Sequence, residues 1–152
     1  MTMPADKCPQ GVPYVMGAAI VQALRDAPAL TGAVVLDNPR RASDLSEGAR
    51  IVFFEDAGDT PRSNEAQVQA RTYRFTLGVI SRAANARQAA HPDYRAAKRV
   101  LRLVCMPALT LAGVQLDGGG LREGEVTYRL ENIDVGGELV LGTFTIDYRD
   151  PS

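Results

Sequence analysis

The sequence predicts an α+β fold: one antiparallel or mixed sheet with two helices on one of its faces. Three observations carry this. Two long segments, Gly124–Glu131 and Glu138–Tyr148, alternate apolar and polar residues across a short glycine-containing link, the pattern of an antiparallel hairpin. A further strand alternates just as cleanly: Tyr73, Phe75, Leu77 and Val79 share one face, and Thr72, Arg74 and Thr76 the other. Between them lies a one-sided helix, Pro92–Met106.

In chain order, Met1–Gly11 reads as a loose arm broken by Pro4, Pro9 and Gly11. Pro13 suits a first helical turn, and Tyr14–Asp26 is a helix with a broad apolar surface that Pro28 ends. Ala33–Leu36 is a short β-branched strand bounded by Gly32 and Asp37-Asn38-Pro39. Ser43–Gly48 is a capped turn. Arg50–Glu55 is apolar on both faces, as a central or doubly covered strand requires. The polar stretch Asp56–Ala70 reads as a long loop, of a length usually functional or disordered in a compact domain.

After the strand around Tyr73, the Ala-rich Ala83–His91 either leads up to the main helix or begins it early. At 100° per residue, Tyr94, Ala97, Leu101 and Val104 fall together with Ala96, Val100 and Leu103 on its buried face. Arg95, Lys98, Arg99 and Arg102 form the opposite stripe, and Pro107 stops the helix. Leu109–Leu116 is apolar and irregular, with a short strand at Val114–Leu116; Asp117–Gly120 is a turn or bulge before the final hairpin. No internal repeat or domain boundary interrupts the 152 residues, which read as a single domain.

Composition excludes several function classes. Seventeen Lys plus Arg oppose eighteen Asp plus Glu, without the basic excess of a general nucleic-acid binder. No apolar run approaches the ~20 residues that span a bilayer, and no basic-then-apolar leader opens the chain, so the expectation is a soluble, intracellular, unsecreted protein with no membrane partner. Cys8 and Cys105 form no CxxC pair and read as free thiols. His91, the only histidine, stands before Pro92 at the expected helix start, without the companions a metal site or catalytic triad needs. Asp56, Asp59, Glu123 and Glu125 are the remaining acid–base candidates, in turn and exposed-strand positions where carboxylates are ordinary. Asp117-Gly-Gly-Gly120 leads into a strand, not the helix a phosphate-binding loop opens. No catalytic residue, metal or cofactor is expected.

The patterned feature is the basic stripe. It reads either as a solvated face or as a docking surface for acids on a neighbouring subunit; four charges are too few for tight non-specific DNA binding. The loop is either a flexible connection or a segment that orders against a partner. Candidate interface side chains are therefore Arg95, Lys98, Arg99 and Arg102 on the helix, with Asp59, Arg62, Glu65, Arg71 and Arg74 in and just beyond the loop.

The element order, with Tyr73–Ser81 (YRFTLGVIS), Asp93–Arg102 (DYRAAKRVLR), Gly124–Tyr128 (GEVTY) and Phe144–Arg149 (FTIDYR), resembles the tail terminator, or tail completion, proteins of long-tailed bacteriophages, including Mu-like phages. The resemblance spans nearly the whole chain through order and patterning, without a catalytic motif. It implies an α/β sandwich that forms a hexameric ring on the finished tail tube, ends tube polymerisation and offers a surface to the head connector or stopper. DNA would pass through the lumen without sequence-specific binding. Assembly in the host cytoplasm and residence in the tail or neck of the virion follow from the same resemblance. Ring contacts would fall at the C-terminal hairpin and the loop before Arg71. Alternatives are a head-completion or neck adaptor of the same assembly, or a small α+β enzyme or ligand-binding domain.

Overall fold

The computed structural model describes residues 5–39, 50–63, 68–83, 85–130 and 137–151; the expected turn Ser43–Gly48 lies outside them. One five-stranded mixed sheet has the order β1-β2-β3-β5-β4. Its strands are β1 (Val34–Asp37), β2 (Arg50–Pro61), β3 (Gln69–Ser81), β4 (Gln115–Leu130) and β5 (Glu138–Asp150). β1 pairs with β2 in parallel, and every other pairing is antiparallel. The α+β expectation holds, and β2 has the interior position its two apolar faces require.

α1 (Val12–Asp26) and the helical run that follows β3 pack on the same face of the sheet. Met16, Ile20 and Leu24 of α1 join Phe54, Tyr73, Phe75, Leu77, Val140, Phe144 and Ile146 of the strands in one buried cluster. The Phe75 ring stacks on Phe144 at 5.3 Å and lies tilted against Phe54 at the same distance, so aromatic contacts cross three strands. On the opposite face Ile51, Phe53 and Ile80 form a second, smaller buried cluster, flanked by Leu36, Leu139 and Leu141.

Three local expectations are corrected. Most of the polar stretch after Glu55 is strand. β2 continues to Pro61 and β3 begins at Gln69, so the hairpin is far longer than its apolar residues suggest. A bulge between Asp56 and Gly58 inserts one residue, after which Asp59 stands opposite Tyr73. Polar side chains hide such an extension, because main-chain pairing needs no apolar signature.

The second helix, α2, spans Ala86–Val100: it takes the earlier of the two expected starts, within the Ala-rich segment, and His91 and Pro92 lie inside it. A π-helical segment, Leu101–Cys105, follows and leads directly into α3 (Met106–Leu111). Pro107 therefore occupies the first turn of α3 instead of stopping the helix. A proline lacks the N–H that would bond the carbonyl four residues back and its ring crowds that carbonyl; the wider π turn immediately before Pro107 relieves the conflict. The Met106 N–H reaches the Leu101 carbonyl, five residues away. The phase of the helix shifts with it. Buried positions run Ala97, Leu101, Cys105, Leu109, while Leu103 and Val104, expected in the core, are 61% and 56% exposed.

In β4 the expected bulge at Asp117–Gly120 is present. Register jumps from Leu116 opposite Tyr148 to Leu121 opposite Ile146, and Gly118 and Gly120 adopt φ of 62° and 72°, where side chains are strained.

Two close approaches leave no room for a side chain at a glycine. The Phe53 ring occupies the space a Cβ would need at Gly78, its direct cross-strand partner. On the helical face Tyr94 of α2 passes over Gly142 of β5, where a Cβ would stand 2.8 Å from the Tyr94 Cζ and closer still to its hydroxyl. Gly142→Ala is expected to lower stability by about 1–3 kcal/mol, because α2 must lift or Tyr94 must leave its rotamer. Urea unfolding checks this; an unchanged midpoint would mean that α2 does not rest on β5 in this way.

Candidate functional site

Carboxylates that sequence alone offered for acid–base work are largely occupied in holding the fold. Tyr73 donates its hydroxyl to Asp56. Tyr148 donates to both oxygens of Asp59 at 2.9 Å, and Arg71 Nε bonds the same carboxylate at 2.7 Å. Tyr94 donates to Glu123 Oε2 at 2.8 Å. Each phenol body is buried and each carboxylate stands nearer solvent, so a satisfied hydroxyl ends each contact. Burial is the main cause pushing the Tyr73, Tyr94 and Tyr148 hydroxyls well above the ordinary tyrosine range, with the adjacent carboxylates adding to it.

The outer face of the hairpin is laced with ion pairs. Arg62 donates to the Arg71 carbonyl at 3.2 Å, to Asp117 Oδ2 at 2.9 Å and to the Tyr148 carbonyl at 3.4 Å, and lies 3.7 Å from Asp147. It thus ties the end of β2 across β3 and β5 to β4. Hydrogen bonding to Arg62, with charge from Arg149 and Arg62, holds the Asp117 carboxyl below its usual range. Arg122 meets Asp147 at 3.0 Å, and Thr72 donates to the same carboxylate at 2.6 Å. Arg74 bonds Thr60 across the strand pair. At the other end of β2, Arg50 grips buried Asp93 of α2 through two bonds of 2.9 and 3.0 Å.

The structure therefore divides the nine expected interface residues. Asp59, Arg62, Arg71 and Arg74 have partners within the chain. Glu65 lies outside the described residues. Lys98 leaves the expected stripe: its Nζ is 3.2 Å from Glu123 Oε2 and 5.8 Å from the Tyr94 ring centre. Arg95, Arg99 and Arg102 are exposed and form no ion pair among the described residues.

These arginines accompany a feature that helical periodicity concealed. An apolar groove of about 420 Å³ runs along α2 and the π segment, lined by Ala96, Val100, Leu103 and Val104 and flanked by Arg95 and Arg99. It exists because the π turn swings Leu103 and Val104 outward. The legible hint was Pro107 only a few residues beyond them.

A second cleft, of about 480 Å³, lies between the N-terminal segment and the start of β4, among Asp6, Lys7, Thr110, Gln115 and Arg149. Cys8 reaches it from the core, and burial, with Asp6 and Asp150, pushes its thiol pKa up and away from the nucleophilic thiolate. Cys8 and Cys105 are both buried free thiols. His91 stacks on Tyr128 at 4.8 Å, 3.6 Å from Glu138. Among the described residues no cluster of His, Cys, Asp or Glu is arranged to hold a metal, and no helix is long and apolar enough to cross a membrane.

No family model matches the chain, and no curated protein gives a significant match. Among solved structures it is similar to a chain in one described as "Virion of native gene transfer agent (GTA) particle", with a TM-score of 0.43 and 19% identity over 88% of this chain and 94% of that one.

The buried hydroxyls and the Cys105 thiol, which burial pushes up from 9.0 to about 11, make an alkaline prediction. These groups hold their protons more tightly folded than unfolded. Their contribution is whole below the unfolded values and is lost as pH rises through the folded ones. The urea midpoint is expected to fall steadily from about pH 9 to about pH 11. A flat profile over that range would contradict the buried placement.

Proposed function

We propose that this chain is a non-catalytic structural subunit of a phage-like particle: a tail terminator that forms a ring, a hexamer in its family's pattern, on the end of the tail tube. The observation that carries the reading is how the surface is apportioned. Asp56, Asp59 and Glu123 are engaged by buried tyrosines, while an apolar groove and three arginines without ion-pair partners among the described residues face outward. That is the chemistry of a protein contact rather than of substrate turnover. The sequence resemblance supplies the kind of assembly.

Edge strand β4 offers a second contact, because only one of its sides pairs, with β5. Main-chain groups along such an edge bind an added strand. The tube protein and the head connector or stopper are the proposed partners on the two faces of the ring, with DNA crossing the lumen through contacts indifferent to sequence. The particle's tail or neck is the proposed location.

Removing the gene from a producing genome is expected to give overlong tubes or tails without heads, scored by negative-stain microscopy. Complementation with the intact chain should restore tail length. Particles of normal length with heads attached, in the absence of this chain, would overturn the reading; bare connectors on tails of normal length would favour the neck-adaptor alternative.

A further inference from the structure

The groove specifies its occupant. Leu103 and Val104 form an exposed apolar floor whose burial would stabilise a complex. Arg95 and Arg99 flank it, and exposed Arg102 continues the cationic side. Guanidinium groups of this kind favour carboxylates, so the matching ligand is short, aliphatic and acidic together.

This chain contains such a stretch. Residues 131–136, Glu-Asn-Ile-Asp-Val-Gly, join β4 to β5 and lie outside the described residues. They carry two carboxylates and two β-branched aliphatics, and no Lys or Arg occurs between Arg129 and Arg149. Of the other undescribed acidic stretches, Asp44–Glu47 follows Arg40 and Arg41 closely enough that residues 40–49 have no net charge, and residues 64–67 carry one carboxylate and no β-branched aliphatic.

We propose that the β4–β5 connection of one copy occupies the arginine-flanked groove of a second copy. The inference rests on the self-assembling reading above and names the surfaces that meet. The connection leaves the sheet at Leu130 and Glu138, where Glu138 pairs with Ser81 at the end of β3. The groove lies on the helical layer beside Ala29. Two unlike patches make a head-to-tail contact, which repeats from copy to copy and forms a ring when its rotation closes. Asp134 and Glu131 supply the carboxylates, and Ile133 and Val135 the aliphatic groups.

The test joins full-length copies. Protein carrying Asp134→Cys is mixed with protein carrying Leu103→Cys and oxidised, and linked dimers are read on a non-reducing gel. Native Cys8 and Cys105 are buried and serve as internal bystanders. A control mixture replaces Leu103→Cys with Tyr14→Cys, an exposed position on α1. The mixed pair is expected to link about tenfold more than the control, a difference that a modest preference in affinity produces. Adding Arg95→Glu and Arg99→Glu to the groove copy should lower the yield about tenfold, and Glu131→Lys in the other copy should recover part of it. Circular dichroism of each variant establishes that it is folded.

Linking no better than the control, or yields indifferent to charge reversal, would overturn the proposal. So would a disulfide that forms within a single Leu103→Cys/Asp134→Cys chain and not between chains, since the connection would then be covering its own groove. Normal rings on tubes with no such linking would sink this contact and leave the terminator reading intact. Efficient linking by a protein whose loss leaves tails normal would do the reverse.

Discussion

The contact that orders this fold is Tyr94 lying across Gly142. A helix layered on a sheet normally keeps a full side chain's distance; here the missing Cβ on β5 lets a phenol lie directly across the strand. Its hydroxyl emerges at β4 and meets Glu123, which also receives Lys98 from the next turn of α2. One helix is thereby bound to the edge strand over the strand between them. On the far side of β3, Arg50 joins β2 to Asp93, the residue before Tyr94. Adjacent residues of α2 thus reach β2 and β4, which fixes the helix and, with it, the direction in which its arginines point.

The other tyrosines repeat this arrangement with different strands. Tyr73 and Tyr148 end in Asp56 and Asp59, both on the part of β2 that follows the apolar core segment. A polar strand extension has little hydrophobic burial to hold it. Hydroxyls at the margin of the core and Arg62 on the outer face supply its side-chain anchors instead. Individually exposed ion pairs contribute little, but Arg62, Asp117, Asp147, Arg122 and Arg149 share partners, and such a network constrains the strand more than any one pair would.

Much of the fold was legible because alternation with period two survives local irregularity. The faces of β3 and β5 were readable from Tyr73–Val79 and from Val140–Tyr148, and the placement of β2 from its doubly apolar pattern. Strand ends were not, since the residues from Asp56 to Pro61 are held by backbone pairing and polar side-chain contacts, which leave no apolar alternation to read. The helix was read correctly as far as Leu101 and wrongly after it, because a fixed 100° per residue cannot anticipate an added residue in one turn. The same error concealed the groove. Within the candidate interface, exposed Arg95, Arg99 and Arg102 were legible from spacing. The pairing of Lys98 with Glu123 was not, since it joins residues far apart in sequence and shares its carboxylate with Tyr94, which lies across β5.

The two borders of the sheet are unlike. β1 presents four residues and β4 sixteen. Strand addition between like borders is related by a two-fold axis and is complete once two molecules have met. A molecule limited to that bond could count only to two. Any larger closed set needs a contact between unlike surfaces, because each added copy then leaves one of each still open.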